Sequence, residues 1–247
     1  MPGVRYALPA IAHEAGDFGP LTQMNRSSIL GGAVLAIALI AAPATTAHAD
    51  ETQLWTEAGV DVGLHRRWSL VLNQNVRFDD HVSRVGSVMP EADLRYAPAG
   101  WIRFGAGYRY RYERDNAGEF QHRHRIHADV RLRLRLEMLD AWYRLRWQEQ
   151  FRREADDGTP TRQVIRNQIG VQWTDWDLLE PFASAETFHR LDEPGAGVVL
   201  QKLRLVAGVE RGFEEHHLAA YYGVEVMQDD RDDPRVHIIG VGYRYEW

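Results

Sequence analysis

His81 and Ser83 stand two residues apart, a spacing at which an imidazole can take the proton of a serine hydroxyl and leave it a nucleophile. His122, His124 and His127 crowd one short stretch, and His216 and His217 are adjacent. His122 and His124 fall on one face of an extended chain and could hold a metal ion. Polar strand-end residues in an arginine-rich setting account for them more simply, so no metal is expected. Acidic pairs recur at Asp156–Asp157, Asp192–Glu193, Asp229–Asp230 and Asp232–Asp233 without calcium-loop spacing, and read as solvated loops. The chain has no cysteine, which removes thiolate chemistry, disulfides and cysteine-based zinc sites. No cofactor is implied. The formal charge of −6 is too mild to suggest a nucleic-acid partner.

The remaining charged chemistry belongs to arginine. Lys202 is the sole lysine among 29 basic residues, a bias that codon usage explains. Where the arginines sit is more informative. From Arg125 to Leu136, arginine and other polar residues alternate with apolar ones. Ile126, Ala128, Val130, Leu132, Leu134 and Leu136 share one face of a strand, and Arg125, His127, Asp129, Arg131, Arg133 and Arg135 share the other. As a helix, the same residues would scatter both classes around the circumference.

Eleven such segments follow one another near 54–64, 68–78, 87–97, 101–112, 121–136, 141–152, 162–174, 180–190, 199–210, 217–227 and 236–247. Each is long enough to cross a bilayer as a tilted strand, which takes about 9–11 residues. The apolar face has polar lapses at Gln74, Glu149, Asn167 and His189. Short links at 65–67, 98–100, 137–140, 175–179 and 212–216 alternate with longer, more acidic ones at 79–86, 113–120, 153–161, 191–198 and 228–235. The pattern predicts an all-β, up-and-down antiparallel transmembrane barrel of 10–12 strands. Single-chain bacterial barrels have even strand numbers, so ten or twelve is expected, with segment 54–64 short of a full span or two strands merged.

Alternation alone fits a soluble barrel with an apolar interior as well as a membrane barrel with the faces inverted. Two features favour inversion. Large aromatics such as Trp68, Tyr96, Tyr112 and Trp173 lie toward strand ends, as interfacial girdles do. Three arginines of one strand, Arg131, Arg133 and Arg135, could not face lipid at roughly 2–4 kcal/mol each. Further support comes from both ends. Residues 29–42 form a short apolar run preceded by Arg26 and followed by Ala47-His48-Ala49, which reads as a signal peptide over 24–49 cleaved after Ala49. Residues 1–23 then read as an unstructured extension from an upstream start, and 50–247 as the barrel. At the other end, Tyr243, Tyr245 and Trp247 resemble the terminal strand read by the barrel-assembly machinery. The expected partners are therefore outer-membrane lipids, that machinery and small anions. The mean hydropathy of −0.43 argues against a helical membrane protein.

The layout resembles the uncharacterised outer-membrane family catalogued as domain of unknown function 2490, over about residues 51–247. The likeness rests on Leu54-Trp55, Arg77, Gly107-Tyr108-Arg109, Arg125, Arg144-Leu145-Arg146, Pro181-Phe182 with Glu186, and Tyr243-x-Tyr245. It implies a barrel of this type and no particular activity. The His81-x-Ser83 pair is similar to one in outer-membrane phospholipase A and the lipid A deacylase, but Arg84 stands where those have asparagine. The lumen is the expected seat of function. The inward face should carry Arg77, Arg103, Arg109, Arg111, Arg125, Arg131, Arg133, Arg135, Arg144, Arg146, Arg166 and Arg204 against Glu186, Glu210 and Glu225. The expectation is a non-enzymatic outer-membrane barrel, structural or a narrow anion-favouring channel. A lipid hydrolase using His81 and Ser83, and a surface-binding protein acting through the acidic loops, are the alternatives.

Overall fold

The structure, a computed structural model, describes residues 51–114, 118–151, 161–174, 178–193, 197–228 and 235–247. The expected leader and its cleavage site lie outside the described residues, as do Arg152 and the acidic pairs at 156–157, 229–230 and 232–233. Eleven strands follow in order: β1 (Glu51–His65), β2 (Trp68–Asp79), β3 (Arg84–Ala99), β4 (Ile102–Arg114), β5 (Phe120–Arg135), β6 (Leu139–Phe151), β7 (Arg162–Trp173), β8 (Glu180–Glu193), β9 (Gly197–Phe213), β10 (His216–Met227) and β11 (Arg235–Glu246). Each pairs antiparallel with the next, and β1 meets β11 to close the barrel. No helix among the described residues is long and apolar enough to cross a membrane.

The two faces are inverted relative to a water-soluble barrel. On β5, Leu132 and Leu134 point outward at 41% and 60% exposure, while His127, Asp129 and Arg131, of the opposite parity, are buried inside. The same sorting holds around the wall. Leu72, Leu94, Phe104, Tyr143, Ile169, Leu205, Leu218 and Val241 are all exposed. A strand's period of two makes this sorting automatic once one face is chosen.

Closure departs from expectation. The strand number is eleven, not ten or twelve, and segment 54–64 is a full strand. In an up-and-down barrel an odd number forces the first and last strands to run the same way. Accordingly β1 and β11 pair in parallel, from Glu51 opposite Val236 to Asp61 opposite Glu246. The evenly spaced bonds of a parallel ladder make this seam possible, and a 19-stranded barrel provides a precedent for an odd count. Trp247 extends the seam: its N–H donates to the Asp61 carbonyl at 2.8 Å, and its carbonyl accepts from the Gly63 N–H at 3.0 Å.

Residues 66–67, 100–101, 136–138, 174–179 and 214–215 connect strands at one rim, and 80–83, 115–119, 152–161, 194–196 and 228–234 at the other. The second rim was expected to hold consistently longer loops. Instead β3, β8 and β9 continue as paired strands into the segments expected to be loops, leaving only 80–83 and 194–196 between them. The two rims are called here the short-turn rim and the outer-loop rim.

Inward-facing glycines make room for bulk on neighbouring strands. Gly107 lies opposite Asp93 on β3 and His127 on β5. A Cβ there would run into both the Asp93 carboxylate and the imidazole. Gly240 on β11 similarly lies beneath the Tyr221 ring of β10.

Candidate functional site

The lumen has two unlike halves. Toward the short-turn rim it is filled with side chains. Asp61, Asp93, Arg95, His127, Asp129, Arg131, Asp140 and Arg244 are each at most 9% exposed. Carboxylates meet most of the cations. Arg95 Nη1 donates to Asp61 Oδ2 at 3.1 Å, and His127 Nε2 lies 2.5 Å from Asp93 Oδ1. Arg146 donates twice to Asp129 Oδ2, at 3.1 and 2.7 Å, and Arg133 pairs with Asp140. Arg131 also lies over the Trp142 ring, 4.2 Å from its centroid. Carboxylate partners offset most of the cost of burying this charge, which for unpaired groups is several kcal/mol each, although Arg244 Nε and Nη1 are buried without a hydrogen-bond partner.

Toward the outer-loop rim the lumen opens into a cavity of about 540 Å³. Its lining reaches from Glu51, Asp79, Glu113 and Met227 at the rim down to Glu57, Glu91 and Arg146. Four carboxylates organise it. Glu186 is the most heavily used: Arg166 clasps it at 2.9 and 2.8 Å, Arg144 reaches it at 3.3 Å and Arg204 at 3.2 Å. Glu225 holds Lys202 at 2.9 Å and Arg204. Glu91 holds Arg109, and Glu113 holds Arg111 and Arg123, both at 2.5 Å. Aromatic rings carry more of the cationic surface. Arg77 lies 3.6 Å and Arg204 4.8 Å from the Trp55 ring centre, and Phe188 is approached by Arg166, Lys202 and Arg204 at 4.4–4.9 Å.

The described lining carries twelve cations, namely Lys202 and Arg77, Arg109, Arg111, Arg114, Arg123, Arg125, Arg144, Arg146, Arg162, Arg166 and Arg204. Against them stand six carboxylates, Glu51, Glu57, Asp79, Glu91, Glu113 and Glu225. Asp129 and Glu186, bonded just behind the lining, bring the balance to twelve against eight. The cavity is therefore cationic, and confinement between low-dielectric walls strengthens its field.

The other residues singled out from sequence fall as follows. Arg103 faces inward beside Arg131 and Asp129. Arg135 has the same parity but emerges exposed at the short-turn rim. Glu210 is buried, 3.6 Å from His217, whose other ring nitrogen is 3.4 Å from Glu246. Tyr243, Tyr245 and Trp247 have the outward parity of β11, and His216 Nδ1 is 2.9 Å from the Tyr243 hydroxyl. His81 and Ser83 lie in the exposed 80–83 turn at the outer-loop rim, where Asp80, His81 and Val82 have positive φ. No hydrogen bond joins their side chains. His122 and His124 point outward and hydrogen-bond the hydroxyls of Tyr110 and Tyr108. They are thereby separated from His127, which faces the lumen.

Sequence reasoning missed the company His127 keeps. Glu91, Asp93 and His127 bring three ligand-type atoms within 4.8 Å. Guanidiniums already occupy this group: Arg109 bonds Glu91, and Arg146 stands 3.7 Å from it. The three residues therefore serve as members of the ion-pair network. Both Asp93 and His127 lie opposite Gly107, so their meeting depends on strand register, which alternation alone does not fix. Also missed were the inward aromatics Trp142, Phe182 and Phe188, all buried.

Comparison with known proteins adds the following. A family model described as "Protein of unknown function (DUF2490)" matches residues 52–236. The chain belongs to the DUF2490 family. No curated protein matches it at a significant level. A solved chain described as "Bacterial polysaccharide outer membrane secretin" is similar at 13% identity, covering 72% of this chain and 73% of that one, with a TM-score of 0.42. In this DUF2490 barrel several of the residues that carried the family resemblance gather in and around the cavity. Trp55, Arg77, Arg109, Arg125, Arg144 and Arg146 line it, and Glu186 ties it together from behind.

Proposed function

We propose that the protein is a non-enzymatic integral barrel of a bacterial outer membrane whose lumen is a blind, anion-favouring vestibule rather than an open pore. The observation that carries this reading is the inverted wall: leucine, isoleucine and aromatic side chains face out all round, and paired charges fill the inside. In water such a wall would expose apolar surface at about 25 cal/mol per Å²; in hydrocarbon it is at home. The buried ion pairs of the short-turn half close the floor, and the cationic cavity opens at the outer-loop rim. In this reading the signal peptide at 24–49 delivers the chain, the assembly machinery engages the Tyr243–Trp247 end, and lipids are the surrounding partner. The outer-loop rim faces the exterior.

Purified mature protein tests this directly. It should need detergent for solubility and change its gel mobility on heating. In planar bilayers it should show no steady conductance, while replacement of the floor residue Arg131 by glycine should open small anion-selective currents. A steady wild-type pore would overturn the blind vestibule, and free solubility would overturn the membrane reading.

A further inference from the structure

Six guanidiniums converge in the vestibule: Arg77, Arg109, Arg111, Arg125, Arg166 and Arg204. Four have carboxylate partners, Glu91 for Arg109, Glu113 for Arg111, Glu186 for Arg166 and Glu225 for Arg204. All four of those carboxylates are shared with further cations: Arg146 at Glu91, Arg123 at Glu113, Arg144 at Glu186 and Lys202 at Glu225. They have no negative charge to spare.

Arg77 and Arg125 make no ion pair among the described residues. Arg77 rests on the Trp55 ring, and Arg125 Nη2 donates to the neutral amide of Gln150 at 2.7 Å. Arg125 stands directly opposite Arg109 in the β4–β5 register, and Arg77 shares the Trp55 ring with Arg204. Each unpaired cation thus has another guanidinium of the cluster as a neighbour. The Nε–H groups of Arg111 and Arg125 are buried and have no hydrogen-bond partner. An enclosed cluster of like charges with unused donors is unfavourable unless something negative enters it.

We propose that this cluster is a binding site for a phosphate dianion, free or as a phosphomonoester on a small solute. Arg77 and Arg125, the two cations of the cluster that make no ion pair among the described residues, match the two charges of one dianion. Guanidinium forks suit tetrahedral phosphate oxygens, which can accept from the idle Nε–H groups and from Arg77 together. A cavity of about 540 Å³ is of the size that takes a small organic ligand as well as the bare ion. The site rests on the vestibule reading above for its access from outside, but not for its chemistry.

The test is calorimetric titration of the refolded mature barrel in nonionic detergent, at constant ionic strength, with inorganic phosphate, glucose 6-phosphate and acetate. Phosphate should bind at least about tenfold more tightly than acetate at pH 8, since charge-assisted bonds of this kind account for such a factor. Affinity for glucose 6-phosphate should rise between pH 5.5 and 7.5, as the second proton of the monoester leaves near pH ~6. Arg77→Gln and Arg125→Gln should each weaken binding about tenfold or more, and Arg67→Gln at the opposite rim should not. Equal affinity for ion and ester identifies the free ion as ligand; tighter ester binding identifies a phosphorylated solute. Phosphate binding no tighter than acetate, or insensitive to both substitutions in protein that keeps its heat-dependent mobility shift, overturns the proposal. Solubility without detergent would sink the membrane reading while leaving this measurement intact, so the two can fail separately.

Discussion

Glu186 takes hydrogen bonds from guanidiniums on three other strands, and only Arg204 among them has a second carboxylate, Glu225, to fall back on. Glu186→Gln keeps the shape and one acceptor but deletes the charge. Arg166 and Arg144 are then left as buried cations, with side chains 10% and 12% exposed. Removing one member of a buried pair costs roughly 3–5 kcal/mol. For an unfolding slope of about 2–3 kcal/mol per M, the urea midpoint should fall by roughly 1–2.5 M. Urea titration of the barrel in lipid vesicles, followed by tryptophan fluorescence, measures it. Glu137→Gln, in an exposed turn, is the control and should shift the midpoint little. Glu186→Gln also adds one to the vestibule's positive surplus, so phosphate should bind more tightly to that variant, not less. A midpoint within about 0.3 M of wild type would refute the reasoning, because it would mean that the guanidiniums do not depend on Glu186 for compensation.

Other outcomes follow from the same geometry. Deleting Trp247 removes two backbone hydrogen bonds across the parallel seam, a loss of about 1–3 kcal/mol where the barrel closes; the heat-modifiable fraction after refolding should drop, and a wild-type fraction would count against the seam. Gly107→Ala places a methyl against Asp93 and His127 and should destabilise by about 1–3 kcal/mol, read as a lower urea midpoint, whereas Gly100→Ala meets nothing within 4 Å and should be neutral. Leu205→Arg should cost roughly 2–4 kcal/mol near mid-bilayer, measured by the same titration in vesicles; a neutral result would mean that this face does not meet lipid.

Much of the fold was legible because a strand's period of two converts composition into facing. The run from Arg125 to Leu136 declared its two sides, and all eleven strands lie close to the segments so identified. Alternation says nothing about which strand lies beside which, so the parallel β1–β11 seam was beyond it. The even-number rule pointed away from a first strand that in fact pairs in full register with the last. Binary patterning also hid the inward aromatics. Trp142 and Phe182 pack over Gly170 and Gly208 of adjacent strands, so each aromatic reads as a lapse until its glycine is known to be a neighbour. Two polar lapses on the outer wall resolve in the same way. Asn167 accepts a hydrogen bond from the Tyr143 hydroxyl at 2.7 Å, and Gln74 donates to the Asn75 carbonyl at 3.0 Å. Of the vestibule, the arginine content was readable strand by strand. The division into a side-chain-filled floor and an open upper cavity was not, because it depends on which carboxylate reaches which guanidinium across the lumen.

The inverted wall is the premise on which membrane residence, vestibule and anion site all stand. The chain has no cysteine, so Leu205→Cys and Val206→Cys each give a unique labelling site on neighbouring residues of opposite facing. Each variant can carry a bimane fluorophore and be refolded into vesicles with brominated acyl chains. Strong quenching of the label at position 205 and weak quenching at 206 is the predicted result. Equal quenching at both, or quenching at 206 with 205 silent, would contradict the account.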